Sequence, residues 1–243
     1  MGTYGLIGKN IDYSFSKRFF KKKFENENLN HNYVNFDIKE IDELPLIFSK
    51  TKDLLGLNVT VPYKETIIPF LDELHNDAYK IGAVNTIKIK NGKLIGYNTD
   101  HYGFSKSIIP HINKKHRSAL IIGTGGASKA IYFALNKLNI KAKFISRKPK
   151  NIQYLSYSDL TSNIIKENLI IINCSPVGTY PNIDEYPLIP YEFLNNKHLL
   201  FDLIYNPIQT TFLKKGAKMD AKTINGLEML KIQAEKSWEI WNK

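Results

Sequence analysis

The chain has 243 residues, 43% of them hydrophobic, and a net charge of +11; that length buries a sizeable core in one large or two small domains of a soluble globular protein. Its longest apolar runs, Ala119-Leu120-Ile121-Ile122 and Leu169-Ile170-Ile171-Ile172, are of strand length, far short of a bilayer span, so no membrane partner is expected. The positive charge could serve phosphate backbones, but lysines are scattered through every segment and the arginines are only Arg18, Arg117 and Arg147, so the excess reads as compositional bias and no nucleic-acid partner is expected.

The start, Met1-Gly2-Thr3-Tyr4-Gly5, lacks the basic n-region and apolar run of a secretory signal. Strands are predicted at Thr3 to Gly8, Tyr33 to Phe36 and Leu54 to Thr60, with helices between them around Phe15 to Phe24 and Ile41 to Ser49. Two further strands, Ala83 to Ile89 and Lys93 to Asn98, flank Asn91-Gly92, a dipeptide that suits a tight hairpin turn. A helical bridge is expected from about Tyr102 to Lys115. Next come strands at Ser118 to Ile122, Lys143 to Ile145, Leu169 to Asn173, Leu199 to Leu203 and Ala217 to Thr223, with a helix from about Ser128 to Leu138. Apolar strands separated by helical segments predict a parallel sheet covered on both faces. The single cysteine, Cys174, excludes an intrachain disulfide, reads as a buried strand-end thiol and fits a reducing cytoplasm. From Leu227 on, Leu227, Leu230, Ala234, Trp238 and Trp241 form one helical stripe that should pack on the body.

The strand at Ser118 runs straight into Gly123-Thr124-Gly125-Gly126, followed by Ala127 and Ser128. The pattern is Gly-x-Gly-x-x-Ser, a small residue replacing the third glycine. Between a strand and a helix, such glycines allow a tight turn whose N–H groups, with the positive end of the helix dipole, face a pyrophosphate. An NAD site normally carries an acidic residue about 20 residues farther on, to bond the ribose 2′-hydroxyl. No Asp or Glu occurs from Arg117 to Ser158, and Ser146-Arg147-Lys148 with Lys150 stands at that place. A guanidinium pairs with a 2′-phosphate that a carboxylate would repel, so the expected cofactor is NADP.

Polar clusters stand where strands of the first half end: Ser14-Phe15-Ser16, Asn58-Val59-Thr60-Val61-Pro62-Tyr63-Lys64, Gly82-Ala83-Val84-Asn85-Thr86 and Gly96-Tyr97-Asn98-Thr99-Asp100. Hydroxyls, amides, a lysine and an aspartate suit a small polyhydroxylated ligand bearing a carboxylate. With Gly-x-Gly-Gly-Ala, Asp202-Leu203-Ile204-Tyr205-Asn206-Pro207 and Asn225-Gly226-Leu227-Glu228-Met229-Leu230-x-x-Gln233-Ala234, these segments resemble the shikimate dehydrogenase family in order and spacing over nearly the whole chain. The sequence departs from the family's Gly-x-Pro-Ile-x-His-Ser-x-Ser-Pro at Asn10, Tyr13 and Lys17, from its Asn-Arg-Thr at Ser146 and Lys148, and from Asn-Ala-Thr-Ser at Cys174-Ser175-Pro176.

The resemblance implies an α/β protein with an N-terminal substrate domain (1–101, joined by a C-terminal helix at about 227–243) and a Rossmann-type domain (102–226). It implies NADPH-dependent reduction of 3-dehydroshikimate to shikimate, with Lys64 and Asp100 flanking the reacting carbonyl. Ser14 and Ser16 are expected to hold the substrate carboxylate, and Asn58, Thr60, Asn85, Tyr205 and Gln233 to surround the ring. Gly123, Gly125, Gly126, Ala127, Ser146, Arg147 and Lys148 are expected at the cofactor, Gly226 beside its nicotinamide, with no metal. A cytoplasmic monomer or homodimer is expected. Two alternatives stay open: a paralogue that oxidises quinate or uses NAD, and a non-catalytic NADP-binding regulator, against which the presence of both Lys64 and Asp100 argues.

Overall fold

The computed structural model describes residues 2–12 and 14–243, which divide into two compact units: Met1–Tyr102 with Gln233–Lys243, and Gly103–Ile232. The first contains β1 (Gly2–Gly8), α1 (Phe15–Asn26), β2 (His31–Asp37), α2 (Leu44–Lys50), β3 (Leu54–Val59), β4 (Glu73–Leu74), α3 (Asn76–Ile81), β5 (Thr86–Lys90) and β6 (Lys93–Tyr97). The strands form one mixed sheet in the order β2-β1-β3-β5-β6-β4, parallel at β1/β2 and β1/β3 and antiparallel across β3/β5 and β5/β6. Asn91 and Gly92 both take positive φ, 54° and 77°, which joins β5 to β6 by the expected tight turn.

Helix α1 begins at the Ser14 cap, whose hydroxyl accepts from the Lys17 N–H, and buries Phe20 and Phe24, one turn apart, against Tyr4, Leu6 and Tyr33. The end of the last helix enters the same cluster through Ala234 and Trp241. Trp241 donates its Nε1–H to Ile87 O at 2.9 Å, and its ring occupies the space that any side chain at Gly56 would take. Ile7, Leu57, Val59, Ile67 and Ile87 anchor a second cluster in this unit.

The second unit continues α4 (Asp100–Ile108), then has β7 (Ser118–Ile122), α5 (Gly126–Lys137), β8 (Lys141–Ile145), β9 (Tyr154–Leu155), α6 (Ser162–Glu167), β10 (Ile170–Asn173), β11 (Leu199–Asp202), α7 (Thr211–Ala217), β12 (Lys222–Ile224) and the first turns of α8 (Leu227–Trp241). Its sheet is parallel throughout, in the order β12-β11-β10-β7-β8-β9. Along β7, Ala119 and Ile121 join one apolar cluster while Leu120 and Ile122 join another, so both faces are buried, as the continuous apolar run implied. The order reverses at β7, which opens a crevice at the carboxyl ends of β7 and β10.

Three expectations need correction. The strand expected over Ala217 to Thr223 is Lys222–Ile224, because Ala217 ends α7 and the chain turns through Asp220 at φ 59°, with Ala221 N–H bonded to Gly216 O. The alternation Ala217, Met219, Ala221 belongs to a helix end and its turn. The helical bridge starts earlier and ends sooner than Tyr102 to Lys115: α4 stops at Ile108 and Pro110 sits in a 3-10 turn. Strand β5 starts at Thr86, not Ala83. Among the described residues no helix is long and apolar enough to cross a membrane.

Candidate active site

In the first unit, four chain segments that end strands or begin helices bring their polar residues together. Lys64 lies in the turn after β3, its carbonyl held by the Val84 N–H at 2.7 Å. Asp100 opens α4, where Asn98 Oδ1 accepts from the N–H groups of Asp100 and His101 at 3.1 and 3.3 Å. Asn98 is itself fixed by donating to Ala83 O at 2.9 Å. The result places Lys64 Nζ 2.6 Å from Asp100 Oδ2, with side chains only 15% and 6% exposed.

Asn85 is the hub beside this pair. Its amide nitrogen lies 2.9 Å from Asp100 Oδ1, 2.9 Å from Thr99 Oγ1 and 3.2 Å from Gln233 Oε1. Its oxygen accepts from the Thr99 N–H at 2.7 Å. Asn58 continues the network by donating to Ser237 Oγ, Thr86 Oγ1 and Asn85 O at 3.0–3.3 Å. Asn58, Asn85, Thr86, Thr99, Asp100, Gln233 and Ser237 are all buried. A buried polar network of this density is satisfied side chain by side chain, which fixes each group's direction.

Tyr33 ties the serine segment to this network. Its hydroxyl donates to Asn58 Oδ1 at 2.8 Å, and burial pushes the phenol well above its ordinary pKa, against a smaller opposite pull from a hydrogen bond with Ser16. Ser14 and Ser16 are half-buried at the start of α1, and Thr60 is half-buried just past β3 with its N–H on Ile7 O at 2.9 Å. Tyr13 lies outside the described residues. Of the sequence-predicted substrate residues, Ser14, Ser16, Asn58, Thr60, Lys64, Asn85, Asp100 and Gln233 are in this unit, whereas Tyr205 is in the other. Tyr33, Thr86, Thr99 and Ser237 were not anticipated as site residues. Thr86 and Thr99 stood inside the quoted clusters, and Ser237 follows Gln233 at the i+4 helical spacing, but nothing local marks Tyr33.

The second unit holds the glycine turn. Gly123 takes φ 107°, and a Cβ there would lie 3.2 Å from the backbone of Cys174, the residue after β10. Gly125 is exposed and caps α5 with no side chain bonded to the helix N–H groups, and Gly126 and Ala127 are half-buried in its first turn. The turn therefore leaves the free N–H groups of a 12-residue helix facing an open cradle at the switch point, and these residues fit a pyrophosphate. Ser128 replaces the third glycine and is buried, its hydroxyl without a hydrogen-bond partner.

At the end of β8, Ser146 Oγ lies 3.1 Å from both the N and the O of Lys148, while Arg147, Lys148 and Lys150 are exposed. Among the described residues the Arg147 guanidinium has no ion-pair partner, which suits a phosphate contact. Gly226 is buried against Leu203, whose carbonyl oxygen fills the position a Cβ would occupy, so only glycine is accommodated there. At the ends of β10 and β11, Asp202 is fully buried and accepts from Thr210 Oγ1 (2.6 Å), Ile204 N–H (3.0 Å) and Asn173 Nδ2 (3.1 Å). Burial still pushes its carboxyl up to about 6, these hydrogen bonds pulling the other way. Among the described residues no group of three or more His, Cys, Asp or Glu side chains is placed to hold a metal ion.

A sequence model of the shikimate dehydrogenase substrate-binding domain matches residues 6–87. A shikimate dehydrogenase (NADP+) of Methanococcus maripaludis is 43% identical, over 98% of this chain and 90% of that protein. The chain belongs to the shikimate dehydrogenase family. Among solved structures, shikimate dehydrogenase 1 of Peptoclostridium difficile superposes with a TM-score of 0.88 at 38% identity, covering 100% of this chain and 92% of that one. A shikimate dehydrogenase in complex with NADP+ superposes with a TM-score of 0.87 at 35% identity, over 99% of this chain and 90% of that one. The family's two-part architecture, a substrate-binding domain and a Rossmann-type domain, is the α/β class expected from the sequence.

Proposed function

We propose that this chain catalyses the reversible reduction of 3-dehydroshikimate to shikimate with NADPH, and that the first unit binds the substrate and the second the dinucleotide. The observation that carries this reading is the Lys64–Asp100 pair, 2.6 Å apart and locked to Asn85, with Lys64 and Asn85 inside the segment that resembles the family's substrate-binding domain. Bound at the Gly123–Ala127 turn, with Arg147 at its 2′-phosphate, NADPH supplies the hydride. Gly226 keeps that part of the second unit free of a side chain, a role consistent with close approach of a flat ring.

The residues of the first unit divide the remaining work. As the substrate carbonyl is reduced, negative charge gathers on its oxygen, and the Lys64 ammonium stabilises that charge and donates a proton. Asp100 orients Lys64 and balances its charge. Asn85 holds Asp100 from the other side, so the carboxylate cannot rotate away. Asn58, Thr60 and Gln233 present amides and hydroxyls to the ring substituents. Ser14 and Ser16 take the substrate carboxylate. The deciding experiment is shikimate-dependent reduction of NADP+, followed at the NADPH absorbance band, with quinate and NAD+ as the comparison pair. No turnover with shikimate, or faster turnover with quinate, overturns the reading.

A further inference from the structure

A cavity of about 310 Å³ opens at the opposite end of the parallel sheet from the glycine turn. Its wall comes from residues just ahead of β7, β10 and β11 and from Lys222, the first residue of β12. Three ammonium groups (Lys115, Lys197, Lys222) and three imidazoles (His111, His116, His198) line it, and no carboxylate does. Among the described residues none of these lysines is in an ion pair, and the His111 ring has no hydrogen-bond partner.

The other two rings are fixed by the backbone. His116 Nδ1 accepts from the Asn113 N–H at 3.1 Å. His198 is 1% exposed, its Nδ1 accepts from the Asn195 N–H at 3.1 Å, and its Nε2 lies 3.1 Å from Ile165 O, which assigns the proton to Nε2. The Lys222 N–H bonds to His198 O, which brings β12 to this wall. Burial and then the Lys222 charge hold His111 below its ordinary value. For His116, burial acts first, with Lys222 and His198 adding to it against polar contacts with the backbone of Asn113 and Lys197. Three ammonium groups are thus gathered around a concave space whose lining holds no carboxylate, which marks a site for an anion and not a structural ion-pair network. The volume is at the small end of ligand sites, at about 300 Å³.

We infer that this cavity binds a small, multiply charged anion of the phosphate class, at a site separate from the dinucleotide turn. The probe is inorganic pyrophosphate, titrated calorimetrically at low ionic strength into the full chain kept saturated with NADP+, so that the glycine turn is already filled. Orthophosphate and glycerol phosphate run alongside to distinguish free polyphosphate from an esterified phosphate. Lys197→Ala with Lys222→Ala should weaken pyrophosphate roughly tenfold or more, the scale of losing charge-assisted contacts. Histidine proton shifts should show His111 and His116 titrating at higher pH when pyrophosphate is bound, since the anion offsets Lys222. Shikimate oxidation without pyrophosphate should be unchanged in the variant, which also reports that it folds. No binding by wild type, displacement by NADP+, or equal affinity in the double variant would overturn the proposal.

Discussion

Replacing Lys64 with Ala removes one partner of a buried ion pair that the proposed reaction also uses. In the resting protein Nζ sits 2.6 Å from an Asp100 carboxylate that is 4% exposed, so the variant leaves that carboxylate with Asn85 Nδ2 as its remaining side-chain donor, at 2.9 Å. Breaking a buried pair from one side typically destabilises by about 3–5 kcal/mol, and the Asn85 hydrogen bond puts this case at the lower end. In the proposed reaction the same ammonium faces the oxygen on which charge gathers. Loss of a positioned electrostatic and proton-donating group lowers kcat by roughly 10²-fold or more, about 2.7 kcal/mol of barrier. Because the contact matters mainly in the transition state, KM for shikimate should change little. Steady-state kinetics of NADP+ reduction measures the rate, and urea denaturation of the same preparation measures stability. Asp100→Asn serves as the partner arm: with the carboxylate already neutral, adding Lys64→Ala should destabilise far less than it does in wild type. A Lys64→Ala enzyme whose kcat stays within a few-fold of wild type, or whose loss appears entirely in KM, refutes the assignment.

The remaining expectations concern binding and pH. Ser16→Ala should raise the KM for shikimate by roughly tenfold with kcat nearly unchanged, since a hydroxyl on the non-reacting carboxylate holds ground and transition states alike; an unchanged KM places the carboxylate elsewhere. Arg147→Ala should weaken NADPH by roughly tenfold to a hundredfold and NADH much less, because only NADPH carries the 2′-phosphate; equal losses in measured Kd contradict the cofactor reading. Asp202 has its carboxyl raised from 3.8 to about 6 in the folded chain, so the folded state holds the proton more tightly than the unfolded one. Its stabilising contribution is complete below about pH 4 and is lost as pH rises through about 6, a change of about 3 kcal/mol. Asp202→Asn should remove that change, so the variant's stability relative to wild type rises over this interval and is then flat. Parallel curves of unfolding free energy against pH would refute it.

Much of this site was legible along the chain because its signals are local. The turn from β7 into α5 is written in Gly123, Gly125 and the apolar stripe of the helix, all within a few turns of backbone. The β5–β6 hairpin is carried by Asn91-Gly92, whose positive φ values the turn requires. The acid-free stretch around Arg147 is likewise visible by charge alone. Where local patterns competed, they misled: Ala217, Met219 and Ala221 alternate like a strand yet close a helix, since hydrogen bonds back to Gly216 and Ala217 decide the matter and leave no mark at that spacing.

Side-chain partnership came only from the tertiary structure. Sheet order sets β1 between β2 and β3, and that placement brings Tyr33 on β2 within 2.8 Å of Asn58 on β3, which no pattern around Tyr33 foretells. Gln233 meets Asn85 across 148 positions because the end of α8 packs into the first unit's aromatic cluster. His111 and Lys222 share a cavity wall only because the parallel strands all start at one edge of the sheet. Sequence determines what each residue can do and how its own few neighbours turn. Which residues act together depends on strand order and packing, and these are settled by burying the whole core at once.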